Sequence, residues 1–85
     1  MDFKVSPYVY NLYVIFDRKS GLYSHLSYEQ NDALALRQFR QLSLFERPDN
    51  VFFTNKDDFD LYCIGQIDVQ TGSIVSQDRR LISNV

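Results

Sequence analysis

Tyr13, Tyr23 and Tyr62 each fall in a stretch that alternates like a β-strand, on the side opposite the residues that alternation assigns to a core. Cations lie within reach of such strands: Arg18 and Lys19 in a turn, Arg37 and Arg40 on a helix, Arg79 and Arg80 near the carboxyl end. Two kinds of chemistry use this combination. Flat π-faces stack unpaired nucleobases at about 1–3 kcal/mol each while cations follow the phosphates. Aromatic surfaces are equally what association between protein chains favours. Asp60 and Asp68, which fall on the same side as Tyr62 by alternation, repel phosphates and speak for the second use. Both uses stay open at this point.

Other chemistries lack their residues. His25 is the lone histidine and Cys63 the lone cysteine, the latter on the core side of a strand, so neither anchors a nucleophilic or metal site and no internal disulfide can form. Asp57, Asp58 and Asp60 are close together, but a calcium loop opening at Asp58 would need glycine at its sixth position and a carboxylate at its twelfth. The chain has Cys63 and Val69 there. Glycine-rich phosphate loops and nucleophile elbows are absent. The expectation is a protein without enzymatic activity, cofactor or metal.

A formal charge of −2 argues against whole-surface attraction to nucleic acid, so any such binding depends on local geometry. An apolar fraction of 45% with two prolines and three glycines predicts a folded chain, and 85 residues predict a single domain spanning 1–85. Residues 1–4 lack the basic and apolar regions of a secretory signal, and no apolar run nears the roughly 20 residues of a membrane span. With one cysteine, a soluble protein of a reducing cytoplasm, without membrane partners, is expected.

The elements that must position these residues follow from periodicity. Residues 8–17 read as a central strand whose even positions, Tyr8, Tyr10, Leu12, Val14 and Phe16, are assigned to the core. Its odd positions mix Val9, Tyr13 and Ile15 with Asn11 and Asp17. A turn over 17–21 leads to a return strand over 22–28, with Leu22, Leu26 and Tyr28 inward and Tyr23 and His25 outward. Asn31 and Asp32 signal a helix running to about Leu42, with Ala35, Leu36, Phe39 and Leu42 as its apolar stripe and Arg37 and Arg40 on a flank. Residues 43–50 read as a loop with Leu44 and Phe45 tucked under it, and 51–54 as a short edge strand or a buried part of the same connection.

From Phe59 the alternation is clean: Phe59, Leu61, Cys63, Gly65, Ile67 and Val69 on one face, Asp60, Tyr62, Ile64, Gln66 and Asp68 on the other. Gly65 marks either a bulge, which would swap the faces beyond it, or a close approach by the helix. A turn over 70–73, a short strand over 74–76 and a partly ordered tail over 77–85 complete the chain. The fold class is α+β: an antiparallel sheet of three to five strands with one helix packed on one face. One helix covers one face, so the other exposes more apolar surface than a solvated monomer leaves open, and a homodimer is expected.

The strand ending Val14-Ile15-Phe16-Asp17 followed by Lys19 and Tyr23, the helix with Ala33, Arg37 and Phe39, and the run from Lys56 through Asp68 with Thr71-Gly72 carry a family likeness. Over residues 12–76 the chain resembles the small nonstructural protein of gokushovirus-type microviruses, tailless bacteriophages with circular single-stranded DNA genomes. The resemblance implies a non-enzymatic protein of the infected bacterium's cytoplasm that binds DNA or assists the switch from replication to genome packaging. Its expected partner is single-stranded DNA, with Tyr13, Tyr23, Tyr62, Arg18, Lys19, Arg37 and Arg40 as candidate contacts. The alternative is an adaptor that contacts viral or host replication or capsid proteins without touching DNA.

Overall fold

The computed structural model describes residues 7–84, so the expectation drawn from residues 1–4 lies outside the described residues. Four strands form one antiparallel sheet in the order β2-β1-β3-β4: β1 Val9–Asp17, β2 Leu22–Glu29, β3 Phe59–Asp68 and β4 Ile74–Asn84. Helix α1, Asp32–Leu42, crosses one face, and a single helical turn α2, Val51–Thr54, follows it. This is the expected α+β architecture.

Helix α1 begins where local chemistry says it should. Asn31 is extended and its side-chain oxygen accepts from the Leu34 amide at 3.0 Å, while Asp32 places negative charge in the first turn. Arg40 in the last turn suits the opposite end of the macrodipole, and the Ser43 hydroxyl donates to the Arg40 carbonyl at 2.8 Å. Ala35 and Phe39 are the buried part of its stripe. They pack on Tyr13, Ile15, Phe59, Leu61 and Cys63, with Leu36, Leu42, Phe52 and Ile82 closing the edges.

That core corrects the face assigned to β1. The odd positions Tyr13 and Ile15 face the helix, and the even positions Tyr10, Leu12, Val14 and Phe16 face away from it. Tyr13 is 0% exposed. Its hydroxyl donates to Asp32 Oδ1 at 2.7 Å and accepts from Asn11 Nδ2 at 3.1 Å, so a buried phenol is fully satisfied. Arg80 of β4 closes the same carboxylate with contacts of 2.8 and 3.2 Å. Burial first, and then the adjacent Asp32, push the Tyr13 hydroxyl well above its ordinary value, while Arg80 holds the Asp32 carboxyl below its own.

The lowered carboxyl sets an expected pH dependence. A carboxyl depressed in the folded state stabilises fully above its unfolded value, about 3.9, and that contribution is lost as pH falls through the folded value. Melting temperature followed by circular dichroism is expected to drop below about pH 4. In Asp32→Asn the drop is expected to be shallower, because no charge remains there to titrate.

There are three further departures. Residues 51–54 form a helical turn instead of an edge strand because Asn50 caps it: its side-chain oxygen accepts from the Phe52 amide, and its Nδ2 donates to the carbonyls of Leu42 and Phe45. Leu44 and Phe45 do not tuck under the loop, being 72% and 67% exposed. Strand β4 runs through the region expected to be a partly ordered tail, pairing Leu81 with Tyr62 and Arg80 with Cys63.

Bulges in β3 and β2 decide which side chains share a face with β1, and the β3–β4 pairing shifts at two further places. In β3, Tyr13 pairs with Cys63 but Leu12 with Gly65, so Ile64 is the extra residue and the faces swap beyond it. The close approach at Gly65 also exists, made by β4 and not by the helix: a Cβ there would lie 2.2 Å from the Val75 carbonyl oxygen. In β2, the pairing slips between Tyr13–Ser27 and Ile15–Ser24, with His25 at φ 55. His25 thereby turns to the helix side, its ring edge-on to Phe52 at 5.6 Å, while Tyr23 stays on the open face. The expectation of His25 beside Tyr23 is corrected accordingly.

Candidate nucleic-acid interface

The sheet face away from α1 carries two aromatic groups along β1. At one end Tyr10 meets Tyr28 edge to face, centroids 5.1 Å apart. At the other, Phe16 packs against Tyr23 at 4.8 Å and Tyr62 at 6.3 Å. Tyr10 and Phe16 are six residue steps apart, roughly 20 Å at the usual rise. Leu12 and Val14 fill the interval and are themselves nearly covered by their neighbours.

A cation sits on the second group. The Arg79 guanidinium lies 4.6 Å from the Tyr62 ring centroid and 5.3 Å from that of Phe16, and its Nη1 donates to the Tyr23 hydroxyl at 2.8 Å. Strand β4 makes this possible: with Leu81 opposite Tyr62, Arg79 projects to the same side two residues earlier. A guanidinium held against aromatic rings offers both the positive charge and the planar group that a nucleotide needs.

The acidic residues that opposed phosphate binding are disposed of in two ways. Asp60 remains on this face opposite Phe16, but it is nearly buried and paired with Arg18, Nε to Oδ2 3.3 Å. Asp68 is carried to the helix side by the β3 bulge, where it pairs with Val9 and accepts from the Gln70 and Thr71 amides of the following turn. The face is left with Arg79, Arg18 and the neighbouring exposed Lys19.

Of the sequence-derived candidates, Tyr23, Tyr62 and Arg18 gather at this end of the face, and Lys19 is exposed in the adjoining β1–β2 turn. Tyr13 does not, being sealed in the core. Arg37 and Arg40 are exposed on α1, in the layer on the opposite side of the sheet, and are not brought to the tyrosines. Phe16, Tyr10 and Tyr28, expected in the core, belong to the open face instead. Arg79 lies in the segment expected to be a tail, and its place on the open face depends on the pairing of Leu81 with Tyr62, which no local pattern announces.

Among the described residues no three His, Cys, Asp or Glu side chains gather as a metal site, and no helix is long and apolar enough to cross a membrane. No curated protein and no solved structure matches the chain. A family model does, the one described as Phage ORF5 protein, and it takes in residues 10–85, which include α1, β3 and β4 whole and β1 from Tyr10 onward. With nearly the whole sheet and its helix inside that match, the chain belongs to the Phage ORF5 protein family of bacteriophage proteins.

Proposed function

We propose that this phage protein is a non-enzymatic accessory factor that binds single-stranded DNA on the open sheet face during genome replication or packaging, in the cytoplasm of a bacterium infected by a gokushovirus-type microvirus. The observation that carries this is Arg79 laid over Phe16 and Tyr62 and bonded to Tyr23. Unpaired bases stack on such a platform, whereas the bases of a duplex are already stacked on one another and cannot reach it. Arg18 and Lys19 continue the positive charge along the β1–β2 turn for the backbone to follow.

The far end of the same face suits a different contact. Tyr28 and Leu26 on edge strand β2 are 52% and 65% exposed, and Ile74 on the opposite edge strand β4 is 61% exposed, apolar surface without a guanidinium on it. A second copy of the chain covering that end gives the homodimer expected from the exposed surface and leaves the Arg79 end open to DNA. The adaptor reading rests on the same surface, with a viral or host replication or capsid protein in place of the second copy.

Fluorescence anisotropy with single-stranded and duplex oligonucleotides at 50 and 200 mM salt, alongside a solution mass, tests the proposal. With about three cations engaged, affinity for the single strand is expected to fall about 20-fold between the two salts. Duplex is expected to bind more weakly at both, and the mass to equal two chains. Negligible retention of both DNAs, with salt-insensitive capture of a protein, would move the function to the adaptor.

A further inference from the structure

Beyond the DNA-binding reading, and needing none of it, we infer that Gln41-Leu42-Ser43-Leu44-Phe45 is a docking peptide for the ring-shaped sliding clamp of the bacterial replicase. Leu44 and Phe45 are adjacent and 72% and 67% exposed, and Gln41, one turn earlier, is exposed as well. Single apolar side chains on a surface are ordinary, but a neighbouring leucine and phenylalanine held out together call for a partner. Local hydrogen bonds fix them there. The Ser43 and Leu44 amides donate to the Arg40 and Gln41 carbonyls at 3.2 and 3.1 Å, which tightens the end of α1 into an i to i+3 turn with Leu44 over Gln41. Asn50 Nδ2 then ties down the carbonyls of Leu42 and Phe45 at 2.8 and 3.0 Å, and the Arg47 amide donates to that of Phe45 at 2.8 Å. Leu42 packs against the core and anchors the turn, so Gln41, Leu44 and Phe45 are left for a partner. A turn already formed spares that partner much of the cost of ordering it.

The spacing says what kind of partner. Residues at i, i+3 and i+4 are the anchors that a helical segment lays into an apolar pocket, and the glutamine amide can donate and accept at its rim. Arg47 and Asp49 beyond them pair with one another at 3.2 Å, so the apolar contact is confined to the leucine and the phenylalanine. A phage protein meets bacterial proteins. The bacterial sliding clamp has a pocket of this chemistry, into which polymerases and their accessory proteins place peptides of the form glutamine, leucine, serine or aspartate, leucine, phenylalanine. Every position of that form is filled by residues 41–45. The turn follows α1 on the helix side of the sheet, away from Arg79, Phe16 and Tyr62, so clamp and DNA would not compete for one surface.

Isothermal titration of the full chain into a purified bacterial sliding clamp, with no DNA present, is the test. The chain is expected to bind in equal molar amount with the clamp protomer, and a clamp-binding peptide from a bacterial polymerase is expected to displace it. Leu44→Ala and Phe45→Ala are each expected to weaken binding by about tenfold or more, the loss that an anchor side chain gives. Both side chains are exposed, so the melting temperature is expected to stay where it is. Leu26→Ala, a comparably exposed leucine on β2, is expected to leave clamp binding unchanged. Absence of clamp binding overturns the inference, as does binding that survives Phe45→Ala or that the peptide does not displace. A solution mass that falls from two chains to one in Phe45→Ala, with no clamp binding by the natural protein, also overturns it and gives the pair to a second copy. None of these results touches the proposed DNA binding, because no DNA takes part.

Discussion

Changing Tyr62 to alanine is expected to weaken single-stranded oligonucleotide binding by between about fivefold and about 150-fold, the range that loss of ~1–3 kcal/mol of base stacking gives. Tyr62 carries the Arg79 guanidinium at 4.6 Å and borders Phe16, so its loss removes one wall of the platform and loosens the cation on it. Arg79→Ala is expected to weaken binding less than additively when combined with Tyr62→Ala, since the two share one contact. Tyr13 supplies the contrast. Tyr13→Phe is expected to leave DNA affinity unchanged and to lower stability by about 1.5 kcal/mol, because it deletes a buried hydrogen bond to a carboxylate that keeps Arg80 as a second partner. Anisotropy and urea denaturation on the same two variants separate the effects. Loss of DNA affinity in Tyr13→Phe without loss of stability would place the stacking surface on the wrong side of the sheet.

The two tyrosines show where the sequence is legible and where it is not. Strands β1, β2 and β3 and helix α1 are visible in the chain because each is written locally: period-two runs, the Asn31 and Asp32 start, the turn at Gly21. Which face of β1 meets the helix is not written locally: Tyr10, Leu12, Val14 and Phe16 make the more uniformly apolar side, yet the side of Val9, Tyr13 and Ile15, which also carries Asn11 and Asp17, is the one that packs. The choice falls to a contact among Tyr13, Asp32 and Arg80, in which Arg80 and Asp32 stand 48 residues apart. No window of periodicity spans that distance.

The same distance hid β4. Gln77, Asp78, Arg79 and Arg80 form a polar run that reads as a tail, yet each arginine has a partner waiting on another element: Asp32 on the helix side and the Tyr62 and Phe16 rings on the open side. Polar residues at a sheet edge with a carboxylate below and aromatics above have reason to be extended, whatever their intrinsic propensity. Gly65 was different, because glycine within a strongly alternating strand is itself a local signal of a bulge or of a close backbone neighbour. Both are present, and the swap they cause takes Asp68 off the open face. The electrostatic objection to a DNA surface was thus answered by a residue visible in the sequence, through a consequence that needed the partner strand to be seen.

Gly65→Ala follows from that position and is expected to destabilise the domain by about 3 kcal/mol, the upper part of the range for overpacking. The added methyl would stand 2.2 Å from the Val75 carbonyl oxygen and 3.0 Å from the Ser76 Cα, and both are backbone atoms with no rotamer by which to retreat. Strand β4 must then move away from β3. Gly21 and Gly72 have positive φ but nothing within 4 Å of a new Cβ, so alanine there is expected to cost only the left-handed backbone strain of about 1–2 kcal/mol. The three variants in a urea titration therefore rank Gly65 as the most sensitive. Displacing β4 also lifts Arg79 from Tyr62 and draws Arg80 from Asp32, so Gly65→Ala is expected to lose DNA affinity even at temperatures where it remains folded. The Gly21 and Gly72 variants are expected to keep it. A Gly65→Ala protein as stable as those two would mean that β4 can slide past the bulge without disturbing either arginine. The close approach at Gly65 would then not be what registers Arg79 over the aromatic platform.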